Sequence, residues 1–315
     1  MAQPADTHST YDTAGIREDL SDVIYLIDPV DTPFLSMCDH VDATNTNHEW
    51  QIQSLANASA ANAVIEGDDA TTDATTASVR RGNNTQISDK VPRVTGTNRA
   101  VNSAGRADEM DYQVMLKGLE LRRDMESSLL ANNAKVAGND STARELAGVF
   151  SWVADNIELG ATGAAPTGDG TDAATPGSDQ NLTSADFNSV LEQAWTSGGN
   201  PDYVFLTGTL KQAFSALSFS SITKFDRTED QTLYSAVEVF VSDFGTLKLI
   251  PDRFILTKTV FAAQMDLWAV AFLRNMVRQP LAKTGDTDRE QLIVEYTLEA
   301  RNQKGSGVVH AAIPA

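Results

Sequence analysis

The sequence predicts an α+β protein, and three observations carry this prediction. Residues 107–136 are rich in Leu, Met, Glu, Lys and Arg and contain no proline, as one long helix would. Residues 182–261 combine helical patterns with short apolar runs, which is typical of a compact α/β segment. Residues 291–300 alternate in the period of a β-strand. No internal repeat of fixed period is found, so these pieces are unlike one another.

The first 45 residues predict an extended arm with one short helix at 15–26, which must end before Pro29. Residues 19–38, DLSDVIYLIDPVDTPFLSMC, are the most apolar early stretch, yet no compact core can form around them at that point of the chain. Pro29 and Pro33 are expected to hold the arm extended. We expect four apolar side chains to be buried against a neighbouring copy: Ile24, Leu26, Phe34 and Leu35. The alternative is that they pack on their own subunit.

A long loop on two strands is predicted next. Trp50 and Ile52 stand in an outgoing strand pattern, and residues 83–101 contain a return strand. The intervening residues 54–79 are mostly Ala, Thr, Asn and Asp, a composition that cannot stabilise a core by itself.

The long helix is predicted over 107–136, about 45 Å at 1.5 Å per residue. Asp108 is expected to cap its start, and Gly138 with Asn139 to end it. Its apolar stripe contains Val114, Leu121, Met125 and Leu129. A second helix is predicted at 142–154, followed by a linker rich in Gly, Pro, Thr and Asp at 160–181.

The α/β segment is expected to open with a helix from Thr183 or Ser184 through Trp195. A buried strand follows from Asp202, then a helix over 208–218. Three short strands are predicted at VEVFVS, TLKLIP and FILT. The last strands are expected to place Leu292, Val294, Tyr296 and Leu298 on one face, and to form a hairpin around residues 304–307.

Composition excludes several classes of protein. The 315 residues are 41% hydrophobic, and the longest apolar run, 267–273, is far shorter than the roughly 20 residues of a membrane-spanning helix. A net charge of −19 argues against a nucleic-acid binder, which needs a dense Lys and Arg surface. Cys38 is the only cysteine, so no intrachain disulfide can form. We therefore expect no membrane partner and no specific nucleic-acid recognition.

Charge is distributed unevenly along the chain. The first 79 residues hold fourteen Asp and Glu but only one basic residue, Arg17. A basic cluster then follows within a short span: Arg80, Arg81, Lys90, Arg93, Arg99 and Arg106. We expect acidic and basic segments to meet between subunits, with Arg80, Arg81, Lys90 and Arg93 as the contacts. The alternative is an ordinary solvated acidic tail beside an ordinary surface.

No catalytic or metal-binding pattern emerges. The four histidines are scattered and lack metal-ligand spacing. Cys38, Asp39 and His40 adjoin on an extended segment, where neighbouring side chains point apart. Asp169, Asp172 and Asp179 lie in a linker without the glutamate spacing of an EF-hand calcium loop. Phosphate-binding and nucleophile motifs are missing. We predict no enzyme activity, no cofactor and no metal.

The order of these pieces resembles that of a major capsid protein of tailed viruses with the Hong Kong 97 fold. The sequence is most similar to the major head protein family of podovirus-like phages, at REDLSDVIYLIDPVDTPFLS from Arg17, NPDYVFLTGTLKQAFSALS from Asn200, and QPLAKTGDTDREQLIVEYTLEARNQKGSGVVH from Gln279. The resemblance implies an N-terminal arm (1–45), an extended loop (46–98), a peripheral domain with the long helix (99–179), an axial domain (180–261) and the closing strands of the peripheral domain (262–315).

The resemblance also implies a function and partners. The chain would self-assemble as pentamers and hexamers into the icosahedral head shell of a virion, enclosing double-stranded DNA, after assembly in the host cytoplasm. The absence of a helical prodomain before the arm predicts a separate scaffolding protein, and a portal is expected. Lys90 lacks an identified asparagine partner and catalytic acid for crosslinking, so assembly is expected to be noncovalent. Whether decoration proteins bind the outside stays open.

Two other functions remain as alternatives. A surface-layer or tail-tube protein would also be acidic and rich in threonine, but it should be all-β. A calcium-dependent hydrolase should show a converging acidic pocket.

Overall fold

The structure is a computed structural model that describes residues 28–69, 73–101, 107–217 and 239–314. The predicted helix at 15–26, together with Ile24 and Leu26, lies outside the described residues. The helices of the described part are α1 (Pro33–Met37), α2 (Gly96–Ala100), α3 (Glu109–Leu129), α4 (Ser184–Thr196) and α5 (Gly208–Ala216). Single 3-10 turns occur at Val149–Ser151, Met265–Leu267 and Gln303–Gly305.

The strands of the described part follow the chain in this order: β1 (Asp39–Asp42), β2 (Asn47–Ile52), β3 (Val79–Asn84), β4 (Gln86–Lys90), β5 (Arg93–Thr95), β6 (Ile157–Glu158), β7 (Gln180–Asn181), β8 (Tyr203–Leu206), β9 (Val239–Ser242), β10 (Gly245–Pro251), β11 (Val260–Ala263), β12 (Trp268–Pro280), β13 (Thr287–Ala300), β14 (Gly307–Val309) and β15 (Ala312–Ile313). Helices and sheets occur together, so the predicted α+β class is confirmed.

One sheet is built around β12 and β13, which pair antiparallel along most of their length. Its order is β1-β12-β13-β4, and β5 pairs with the start of β13. Strand β12 contains two register shifts, on either side of Arg274. At that point the buried Glu295 carboxylate accepts from Arg274 Nε at 2.8 Å, from Arg144 at 2.6 Å and from the Thr85 hydroxyl at 2.8 Å. These bonds satisfy a charge that would otherwise be costly to bury.

The long helix begins where the sequence predicts, because the Asp108 side chain accepts from Met110 N at 2.7 Å and caps its first turn. Three of the four residues of the predicted stripe are buried, and Val114 is partly buried. The predicted end at residue 136 is wrong, since the helix stops at Leu129 and is about 30 Å long. Asn132 and Asn133 instead exchange side-chain hydrogen bonds with distant backbone groups, at Ala174 and Leu146.

The predicted second helix at 142–154 is also wrong. The segment is irregular apart from the 3-10 turn, and most of its apolar residues between 146 and 153 are fully buried. Such a run is apolar on every side, so its composition does not distinguish a helix from a buried loop. A side chain at Gly148 would lie 2.1 Å from the carbonyl oxygen of Ala131, which shows how closely this loop approaches the end of α3.

The second sheet has the order β6-β14-β11-β8-β10-β9. Helices α4 and α5 supply Phe187, Leu191 and Phe214 to the core beside it. The predicted start of α4 is confirmed: Thr183 and Asp186 form a reciprocal capping box. The strand from Tyr203, the helix after it and the strands VFVS and GTLKLIP are confirmed as well. Because β6 and β14 come from outside residues 180–261, the predicted axial segment does not build this sheet alone.

Two predictions near the C-terminus are wrong. The stretch FILT is not a strand, because Asp252 Oδ1 accepts from Phe254 N at 2.8 Å and turns the chain. The last two predicted strands do not form a hairpin, since β13 and β14 lie in different sheets. Asn156 Nδ2 donates to the carbonyls of Lys304 and Ser306, at 2.7 and 2.9 Å, and directs the chain after β13 toward β6.

Candidate assembly surfaces

The most exposed apolar side chains of the described part lie on the extended loop. Strands β2 and β3 pair from Asn47 with Asn84 to Ile52 with Val79, and beyond that register the chain is irregular. Leu55, Val64 and Ile65 are 96, 85 and 78% exposed. Large aliphatic side chains so free of their own chain mark a surface for interaction with another molecule.

The root of this loop is firmly attached to the rest of the molecule. The buried Asn83 amide donates to Leu298 O at 2.9 Å and to Ala147 O at 3.1 Å. Lys135 Nζ donates to Gly82 O at 2.6 Å and lies 5.7 Å from the ring centre of Trp152. Burial lowers the pKa of the Lys135 ammonium. The loop therefore projects from a fixed base, and the hydrogen bonds of its described far part stay within the loop, as between Gln53 and Thr76 and between Asp68 and Ile65.

The arm enters the core of its own chain. Phe34 is 0% exposed, and its ring lies 5.6 Å from Phe205 and 6.5 Å from Trp268, centre to centre. Leu35 is also buried. The expectation that Phe34 and Leu35 are buried only against a neighbouring copy is therefore wrong, since the two sheets and α3 already enclose them. Pro33 does not keep the arm extended here but occupies the first turn of α1, where its missing N–H costs nothing.

Two of the four predicted basic contacts are paired within their own chain. Arg80 forms an ion pair with Glu49 across the β2–β3 ladder, and this bond lowers the pKa of the Glu49 carboxyl. Lys90 Nζ lies 2.6 Å from an Asp124 carboxylate oxygen on α3, and the bond raises the pKa of the lysine. Surface pairs of this kind contribute about 0 to 1 kcal/mol each.

The other two basic contacts lack a carboxylate partner among the described residues. Arg93 is exposed, and its Nε donates only to the Thr287 hydroxyl, at 3.2 Å. Arg81 is partly buried beside the root of the loop. Arg81 and Arg93 therefore remain candidates for contact with another subunit.

A second apolar surface lies at the edge of the six-stranded sheet. Strand β9 is its outermost described strand, and Val239 and Val241 are 51 and 73% exposed there. Trp195 on α4 is 59% exposed and lies 5.7 Å from the Phe244 ring centre. These residues were not predicted as contacts from the sequence, although Val239 and Val241 alternate so that they lie on the same face of a short predicted strand.

Among the described residues, no group of side chains is arranged as a catalytic site. The cleft between α3 and β12 measures about 610 Å³ and is lined by His40, Asp42, Arg122, Asn275 and apolar residues. The buried Cys38 thiol has a raised pKa, mainly through burial, and the His40 ring contacts Leu35 O at 3.3 Å instead of the thiol. A thiol with a raised pKa is a poor nucleophile.

Among the residues that the structure places, no three His, Cys, Asp or Glu side chains lie close enough together to bind a metal ion. Asp169 and Asp172 instead accept hydrogen bonds from Thr167 and Thr171 in their own loop. Within the described ranges, none of the helices has both the length and the apolarity needed to cross a membrane.

The long helix, the extended loop with its apolar end and the two sheets define a shell subunit of the Hong Kong 97 type. The sequence model described as SU10 major capsid protein matches residues 4–312. The chain belongs to the SU10 major capsid protein family.

Individual relatives agree with this membership. The chain is similar to the major capsid protein of Escherichia phage Phieco32, with 28% identity over 99% of this chain and 98% of that protein. Its fold is similar to that in the cyanophage A-1(L) capsid asymmetric unit, with a TM-score of 0.63, 15% identity and coverage of 96 and 98% of the two chains. It also resembles the capsid of the native GTA particle, with a TM-score of 0.63, 10% identity and the same coverage. The protein is thus a major capsid protein that forms a capsid shell, as the sequence predicted.

Proposed function

We propose that this chain assembles noncovalently into the icosahedral head of a tailed virus, and that the end of its extended loop is the main apolar contact with a neighbouring copy. The observation that carries the proposal is the exposure of Leu55, Val64 and Ile65, which no described part of their own chain covers. Burying one aliphatic side chain contributes about 1.5 to 3 kcal/mol before the costs of association. A shell repeats such a contact in every subunit.

Charge supports the same arrangement. Arg81 and Arg93 are the two predicted basic contacts without a carboxylate partner among the described residues, so they are the ones available to acids of a neighbour. Arg80 and Lys90 contribute less to contacts between subunits because each already pairs within its chain. The net charge of −19 means that double-stranded DNA would be enclosed without being gripped.

The remaining partners follow from membership of the family. Pentamers and hexamers are the units from which an icosahedral shell is built, and we propose both for this chain. A portal and a separate scaffolding protein are proposed as further components, with assembly in the host cytoplasm. We propose no enzymatic activity and no cofactor.

The test replaces the three exposed side chains together, as Leu55→Ser, Val64→Ser and Ile65→Ser. Because all three are exposed, the subunit should keep its circular dichroism spectrum and its unfolding midpoint. Closed particles, measured by sedimentation and electron microscopy, should be lost. The matched control is Leu55→Met, Val64→Ile and Ile65→Leu, which keeps the surface apolar and should still form particles.

Two results would contradict the proposal. Wild-type yields of particles from the serine variant would show that the loop end is an ordinary exposed loop. Loss of particles from both triple variants would show that specific shape, and not apolar character, decides assembly.

A further inference from the structure

Two buried carboxyl groups meet beneath α1. Glu126 lies near the end of α3 and is 0% exposed, and Asp252 follows β10 and is 1% exposed. Their side chains lie close enough to affect each other's pKa. A carboxylate only accepts hydrogen bonds, so a bond between two carboxyl groups requires a proton on one of them.

Glu126 also holds the start of α1. Its Oε1 accepts from Phe34 N and its Oε2 from Leu35 N, each at 2.7 Å. Thr32 precedes the helix but its side chain makes no capping bond. A helix of five residues is not stable by itself, so this cap from a different helix is what fixes α1.

The second carboxyl is less well supplied with donors. Asp252 Oδ1 accepts from Phe254 N at 2.8 Å, whereas its buried Oδ2 has no conventional donor among the described residues. The pair of Glu126 and Asp252 is therefore best accommodated with one proton and one negative charge. The two backbone N–H groups of α1 stabilise that charge.

Charged groups on the surrounding elements do not supply a cation in place of the proton. Arg123 lies over the Phe254 ring at 5.6 Å, and Arg253 is exposed. Asp39 pairs with Arg301 at 2.7 Å, and His40 contacts the Leu35 carbonyl. The Cys38 thiol, at the end of α1, also lies near the pair: burial, and then the neighbouring Glu126 charge, raise its pKa.

We propose that one proton shared between Glu126 and Asp252 locks α1 onto the long helix. Loss of this proton leaves two adjacent negative charges in an apolar enclosure, which only release of α1 can solvate. The device acts within one subunit and does not depend on the contacts proposed for the shell.

Two effects place the pKa for loss of this proton in a mildly alkaline range. Burial, and then the adjacent Asp252 charge, raise the pKa of Glu126 to about 8, and the pKa of Asp252 is raised by burial as well. The proton belongs to the pair, so one transition is expected for both groups. Below this pKa the population of the released state should rise about tenfold per pH unit as the pH increases, and above it the population should level off, because both states are then deprotonated.

Cys38 provides the probe, because it is the only cysteine and is 6% exposed at the end of α1. The purified full chain is labelled with a thiol reagent across the range from about pH 6 to about pH 10. The rate is compared with that of Asp252→Asn, whose amide N–H replaces the shared proton and removes one charge. Ordinary ionisation of the thiol occurs in both proteins, so their ratio isolates the lock.

The ratio of wild-type to variant rates should rise about tenfold per pH unit from the lowest pH to about pH 8 and level off above it. The control Asp42→Asn removes an exposed acid of β1 near the arm and should follow the wild type. Glu126→Gln removes one of the two backbone acceptors and should label faster at every pH.

A ratio that stays flat would overturn the proposal. If Asp252→Asn does not fold, amide hydrogen exchange of Phe34 and Leu35 in the wild type tests the proposal instead, because both N–H groups donate directly to Glu126. Their protection, corrected for the intrinsic exchange rate, should fall as the pH rises toward 8 and level off above it, as the pKa of Glu126 predicts. Constant protection through that range would also refute the lock.

Discussion

Replacing Phe34 with alanine tests whether the arm belongs to the core of its own subunit. The ring is 0% exposed, and three aromatic rings lie with their centres 5.6, 6.2 and 6.5 Å away, on Phe205, Phe261 and Trp268. Removal of a buried phenylalanine costs about 3 to 5 kcal/mol, and the lost edge-to-face contacts place this site in the upper half of that range. We therefore expect Phe34→Ala to lower the free energy of unfolding by about 4 kcal/mol.

The measurement is urea unfolding of unassembled subunits, followed by circular dichroism. With a slope of about 3 kcal/mol per molar urea, the midpoint should fall by about 1.3 M. Leu55→Ala is the matched control, because the same kind of truncation at a 96% exposed position should change the free energy by less than about 0.5 kcal/mol. A Phe34→Ala subunit that unfolds like the wild type but forms no shells would refute the reasoning and place the ring on a neighbour.

Three further predictions concern the cap of α3, a buried histidine and salt. Asp108→Ala should lower the free energy of unfolding by about 0.5 to 2 kcal/mol, and Asp108→Asn, which keeps a capping oxygen, by less; equal losses would contradict the capping role. Burial lowers the pKa of His310 to about 4, so the unfolded chain takes up a proton first and stability should fall by at most about 3 kcal/mol as the pH drops from about 6.5 to about 4. Unfolding midpoints of wild type and His310→Gln, compared across this range, should converge toward low pH; a constant difference would exclude the effect. Shells should persist at 1 M salt, where the Debye length is about 3 Å, and loosen when salt is removed, because the charge of −19 leaves net repulsion between subunits. Light scattering along a dialysis series measures this, and dissociation at high salt alone would show that ion pairs between subunits dominate.

The elements that sequence predicts well are those whose ends are fixed by adjacent residues. Thr183 with Asp186 starts α4 and Asp108 starts α3, each through bonds that span two or three residues. The end of α3 could not be predicted, since Asn132 and Asn133 are held by backbone groups far along the chain. The expected final hairpin failed for the same reason: Asn156, distant in sequence, redirects the strand.

The candidate surfaces were partly predictable. Composition identified the extended loop, because a segment with few apolar residues leaves those few uncovered. The burial of Phe34 could not be assigned to its own subunit, since an apolar stretch indicates that it will be buried but not by which chain. Glu126 was missed, although one signal was available: it adjoins Met125 and lies three residues before Leu129 on the apolar side of α3. An acid in that position is buried and must find donors.

The fixed root of the extended loop gives the subunit a lever arm. Asn83 and Lys135 fasten the base, and in β2 His48 Nε2 lies 3.0 Å from Glu299 and the Trp50 ring lies 5.2 Å from that of Trp152. At about 3.3 Å per residue the chain from Trp50 to Leu55 spans up to about 16 Å, so a rotation of about 5° at the base moves the far end by about 1.5 Å. Contacts at Leu55 and Ile65 are thus sensitive to tilts too small to disturb either core. A subunit of one internal structure can in this way meet neighbours at the slightly different angles that a closed, curved surface imposes.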